Sequence, residues 1–171
     1  MTPAADPAPA TGPAATDRVA LAMSAAPEVI GWGATIMDFD STGALVELRA
    51  GMNGWMCLPD SNPGVPRDTP ICVDGPWQER FDAYMAGEAP SITATGVSYM
   101  FQGDVVASNT DPLATALPAG QTWIEDGPHV MLIVPDPATL AGFSTDHLSG
   151  GPYVMWTGTP YAHLMVPVTP D

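Results

Sequence analysis

Pro128-His-Val-Met-Leu-Ile-Val-Pro135 sets an unbroken apolar, partly β-branched run between two prolines. The run is too short for a helix and is closed by residues that stop one, so it reads as a strand. Ala162-His-Leu-Met-Val-Pro167 echoes it, again opening with His and carrying Met two residues on. The echo is too short to make a repeat architecture. Outward from this pair, strand character is found at Val97–Phe101, Val130–Val134, Tyr153–Trp156 and Leu164–Val168, separated by long connections rich in Gly, Pro, Asp and Asn. Towards the N-terminus, Ala34–Met37 and Ala44–Arg49 flank Asp40-Ser-Thr-Gly43, a hairpin signal. Asn53-Gly54 is a two-residue turn signal leading into Trp55-Met-Cys-Leu58, so three consecutive strands are expected as a meander.

Two helices stand against these strands. Asp17–Ala26 is a short one, with Thr16 or Asp17 as cap, Pro27 at its end and Val19, Ala22 and Met23 as its apolar stripe. Pro76–Ala86 is the stronger, with proline at its start, Gly87 as C-terminal cap, and Trp77, Phe81, Tyr84 and Met85 on one face. The pattern predicts one α+β domain over residues 17–171: a mainly antiparallel β-sheet or partly open barrel with one or two short helices. Residues 1–16 are nearly all Ala, Pro and Thr and predict a disordered Pro/Ala-rich linker.

The chain has 171 residues, 4 basic and 19 acidic side chains, and a net charge of −15. Its basic residues are Arg18, Arg49, Arg67 and Arg80; the absence of lysine excludes Schiff-base and P-loop chemistry. So acidic a chain without a basic cluster argues against nucleic acid and anionic membranes as partners. No run of about 18 apolar residues is present to span a membrane. Cys57 and Cys72 lie 15 apart around a turn-rich Pro59–Pro66 segment. They favour a disulfide over two buried thiols, and with it a periplasmic or secreted location. The N-terminal stretch lacks the basic and apolar regions of a signal peptide; its composition suits the linker that follows a removed one.

Leu48-Arg-Ala-Gly-Met-Asn-Gly-Trp-Met-Cys-Leu-Pro-Asp60, Ala107-Ser-Asn-Thr-Asp-Pro112 and the Gly150–Val168 segment carry a resemblance. Together they are similar to a group of exported bacterial proteins of unassigned function. That resemblance implies an exported single domain, and it implies no activity.

Familiar catalytic motifs are missing: there is no Gly-x-Ser-x-Gly, no Gly-x-Gly-x-x-Gly after a strand and no His-Glu-x-x-His. Asp38-Phe-Asp-Ser-Thr-Gly43 imitates the start of a calcium loop, but Arg49 stands where the bidentate Glu belongs, so a polar hairpin turn explains it better. The informative pair is His129 and His163. By strand parity His129 shares a face with Met131 and His163 with Met165. If the two strands are parallel neighbours, two His and two Met converge at one mouth of the sheet, a set suited to a transition metal. If they are antiparallel, the histidines fall at opposite ends. Ser108, Asn109 and Asp111, in the loop after Val97–Phe101, and Tyr161, just outside the second histidine strand, are candidate ligand-binding groups. Parity puts Tyr153 and Trp156 on opposite faces, so at most one of them faces the histidines. The leading expectation is an exported, acidic protein that binds a small molecule or metal ion without catalysis. The alternatives are a metal-dependent or His acid/base hydrolase or lyase working at His129/His163, and a structural or interaction module with no site.

Overall fold

The structure, a computed structural model, describes residues 15–168. The expected linker therefore lies outside the described residues, apart from its last two, which open helix α1 (Ala15–Met23). After a second short helix α2 (Glu28–Gly33), β1 (Thr35–Phe39) and β2 (Leu45–Arg49) form the expected hairpin. Its turn is polar, as Asp38–Gly43 predicted. Asp40 Oδ1 accepts from the Thr42 and Ala44 amides and the Thr42 hydroxyl, while Gly43 takes φ 81°.

The expected meander does not continue. β3 (Met56–Leu58) pairs with β1 in parallel, on the side away from β2. The Asn53-Gly54 turn is spent on a crossover instead. Asn53 Nδ2 donates to Ile30 O and the Met52 amide to Gly33 O, so the segment is pinned to the end of α2. It passes the start of β1 so closely that a Cβ on Gly51 would fall on the Ala34–Thr35 backbone.

β4 (Ile71–Val73), not anticipated in sequence, lies antiparallel to β3, with Cys57 directly opposite Cys72. The two form the expected disulfide, with Cα atoms 4.0 Å apart. The turn-rich spacer closes because Asp60 Oδ1 gathers the Asn62 and Thr69 amides and the Thr69 hydroxyl. Helix α3 (Gly75–Ala86) follows as predicted, with Asp74 accepting from the Trp77 amide and Gly87 capping at φ 70°. Then come β5 (Gly96–Met100), β6 (Asp104–Val106), β7 (Ile124–Asp126), β8 (His129–Ile133), a 3₁₀ turn at Pro137–Leu140, β9 (Tyr153–Met155) and β10 (His163–Pro167).

Eight strands make one sheet in the order β2-β1-β3-β4-β5-β8-β10-β9, antiparallel except at β1–β3; β6 and β7 pair separately. This is the α+β fold expected, in its open-sheet form rather than as a barrel. On one face α1 and the turn after it pack Ala22 and Ala25 over Ile36, Cys57 and Cys72, while Leu140 covers Leu164 and Val154. The opposite face carries Met100, Met131, Met165 and Met155, under Trp77 of α3 and Val106 of β6. That second face holds the site.

Candidate functional site

β8 and β10 are antiparallel neighbours, with Met131 opposite Met165 and His129 opposite Pro167. His163 thus lies four residues farther along the ladder, roughly 13 Å by the strand rise. The histidines share a face but stand at its two ends, with the methionine pair between them, and the parallel arrangement that would set them side by side is not adopted. Each is oriented in the same way. His129 Nδ1 lies 2.7 Å from Gly127 O and His163 Nδ1 lies 3.0 Å from Tyr161 O. A carbonyl can only accept, so each Nδ1 carries a proton directed at it. Among the described residues, no group of three or more His, Cys, Asp or Glu is arranged to hold a metal ion.

At the His163 end the core is hollow. A cavity of about 120 Å³ lies between α3 and the methionine face, with Met100, Met131, Met155 and His163 in its wall. Helix periodicity explains the opposite wall. Trp77, Arg80, Phe81 and Tyr84 fall at i, i+3, i+4 and i+7, and all four line the cavity. Met85, expected on that stripe, is 52% exposed instead.

Arg80 is only 6% exposed, yet it makes no ion pair among the described residues. Its Nη2 donates to Tyr161 O at 2.9 Å and sits 3.4 Å from His163 Nδ1, while its Nε has no partner. The guanidinium is boxed by aromatic rings, 4.4 Å from the centroid of Trp77, 5.6 Å from Trp156 and 5.7 Å from Tyr161. Burial lowers its pKa to about 10, which still leaves it charged at neutral pH. Burial, and then the Arg80 charge, push His163 well below the ordinary histidine value, so its imidazole is neutral.

The loop after β6 supplies a further part of the wall. Ser108 and Asp111 line the cavity. Ser108 Oγ also accepts from the Thr110 and Asp111 amides, the self-bonded turn its composition favours. Asn109 lies behind, its side-chain atoms buried without partners and its carbonyl accepting from the Trp156 amide. Trp156 Nε1 donates to Ser108 O at 2.9 Å. Tyr161 stands behind Arg80, giving its carbonyl to Arg80 and His163 and donating its hydroxyl to Glu88 O.

Trp156 corrects the parity expectation. It sits just past β9 with φ 55°, a left-handed conformation rare for a bulky side chain. That twist swings its ring to the methionine face, 5.1 Å from the His163 ring, so Tyr153 and Trp156 both belong to that face. Strain of this kind concentrates at functional sites.

At the other end, His129 is 2% exposed beneath the small β6–β7 sheet, where Asp104 pairs across from Asp126. His129 Nε2, Tyr153 Oη and Asp126 Oδ2 are buried without partners. Burial raises the Asp104 pKa, Asp126 adds to the rise, and His129 opposes it.

Of the sequence-derived candidates, the cavity thus gathers Ser108, Asp111, Met131 and His163. Tyr161 and Asn109 stand directly behind its wall; His129 and Met165 lie elsewhere on the face. Sequence reasoning passed over Arg80, although its place in an otherwise apolar stripe was legible. Trp156 could not be placed, because parity assumes an unbroken strand. A second hollow of about 470 Å³, beside the 3₁₀ turn and β9, has no charged side chain in its wall. Comparison of the chain with protein-family models, with curated proteins and with solved structures finds no match.

Proposed function

We propose that the protein is an exported, non-catalytic binder of a small molecule, taken up in the cavity between α3 and the methionine face. One observation carries this reading: the largest core cluster leaves a space of about 120 Å³ unfilled, beside a buried arginine whose Nε lacks a partner. Protein interiors are otherwise close-packed, and their buried polar groups are paired. Small-ligand sites combine mostly apolar walls with a few convergent polar groups, which describes this cavity. The absence of catalysis is supported by the chemistry at hand. His163 is neutral and tied to a carbonyl, both cysteines are in the disulfide, and no serine hydrogen-bonds a histidine among the described residues. Export is supported by the disulfide, a bond that persists in oxidising compartments.

A panel of small acids, amines and neutral aromatic compounds, read by thermal shift, tests the reading. A ligand that binds only the folded state raises Tm. At least one class should raise the Tm of the wild type and leave unmoved that of Ala114→Trp, which fills the cavity from its loop wall. If no class shifts the wild type, the cavity is not a ligand site.

A further inference from the structure

Resting on that reading of the cavity, we propose that the ligand is a small monocarboxylate with an apolar body, its carboxylate held by Arg80. The guanidinium is planar and delocalised, and its fork of N–H donors matches a carboxylate. In Arg80 that fork is only partly used, since Nη2 serves Tyr161 O and Nε serves nothing. Leaving a buried charge without a counter-charge costs several kcal/mol in most settings. Among the described residues no carboxylate pairs with Arg80, so the counter-charge is left for a ligand to supply.

The charge of that ligand is bounded by its surroundings. Arg49 and Arg67 are committed to backbone carbonyls elsewhere, Arg18 is paired with Asp38, and there is no lysine. A single guanidinium balances a single negative charge. A phosphate dianion would also meet Asp111 in the wall with nothing to offset its second charge. Burial pushes Asp104, also in the wall, towards its neutral form, which removes one repulsion against a monoanion.

The rest of the wall specifies the body. Trp77, Phe81 and Trp156 offer flat apolar surfaces, and Met100, Met131 and Met155 offer adaptable thioethers. An apolar cavity of roughly 150 Å³ takes up benzene, so about 120 Å³ suits one ring or a short chain.

Benzoate, benzamide and benzylamine, of nearly equal size, separate the possibilities when titrated against the wild-type protein by calorimetry. A charge-assisted hydrogen bond exceeds a neutral one by enough to give benzoate about a tenfold lower Kd than benzamide, with benzylamine weakest. Arg80→Gln should erase the benzoate advantage and leave benzamide nearly unchanged. The wild-type series needs no variant, so it decides even if Arg80→Gln fails to fold. Equal affinities, or tighter binding of the amide or amine, would overturn the carboxylate assignment while leaving the cavity a ligand site. Binding of none of the three, with other classes shifting Tm in the wider panel, would also overturn it. If the wider panel is silent too, the cavity reading falls with it.

Discussion

His163 and Asp104 bracket the cavity and give it opposite responses to pH. His163 is held below its ordinary value of 6.5 by burial first and Arg80 second. As pH falls through that value the unfolded chain takes up a proton that the folded one refuses, so this group lowers stability towards acid. Asp104 is raised by burial, so its folded form takes up a proton before the unfolded chain does. Its contribution favours folding at low pH and is lost as pH rises through the folded value. In denaturant melts, His163→Gln should therefore lose less stability than the wild type between about pH 6.5 and 5, by up to about 1.4 kcal/mol per pH unit. Asp104→Asn should gain on the wild type as pH rises above the ordinary carboxylate value of 3.8. Curves parallel to the wild type would place these protons elsewhere. At this scale the sequence was partly legible. His163, Met131, Ser108 and Asp111 were singled out, because strand parity and turn chemistry are local rules. Arg80 was missed because helical patterning was scored on apolar residues alone, and a buried cation breaks that rule where a site needs it.

Strands and helices were read more completely than their order in the sheet. α3, the β1–β2 hairpin, the four later strands and the disulfide all follow from signals within a dozen or so residues. β4, β6 and β7 escaped because three residues are too few to show a period; β3 and β9, equally short, were legible only as part of four-residue apolar runs. The crossover from β2 to β3 escaped because an Asn-Gly pair signals a hairpin locally, and only the docking of Asn53 on Ile30 O diverts it. Two glycines in that crossover serve different ends. Gly51 leaves room for the Ala34–Thr35 backbone, whereas Gly54 takes φ 78° with open space beside it. Gly51→Ala should therefore cost about 3 kcal/mol through forced backbone displacement. Gly54→Asn, a residue that tolerates the left-handed region, should cost well under 1 kcal/mol. Urea melts of the pair decide it; similar losses would mean that conformation, not proximity, governs both.

Across the whole molecule, charge is left unbalanced. Among the described residues only Arg18 makes ion pairs, with Asp38 and Asp68, while Arg49, Arg67 and Arg80 donate to backbone carbonyls. The net charge of −15 thus stands as a field that repels any anion approaching from solvent. Raising ionic strength from about 0.01 M to 1 M shrinks the Debye length from about 30 Å to 3 Å, while buried pairs are screened far less. Stopped-flow measurements should show benzoate associating several-fold faster at high salt, with benzamide indifferent; a benzoate rate that falls would mean that the Arg80 charge, not the surface, governs approach. At the centre of the same sheet, Cys57 and Cys72 are both 0% exposed beneath α1, whose Ala22 carbonyl lies against Cys72 Sγ. A thiolate must reach sulfur to exchange with it. Small reductants therefore wait for α1 to lift, and the pace of reduction becomes a chemical stopwatch for how often that helix leaves the sheet.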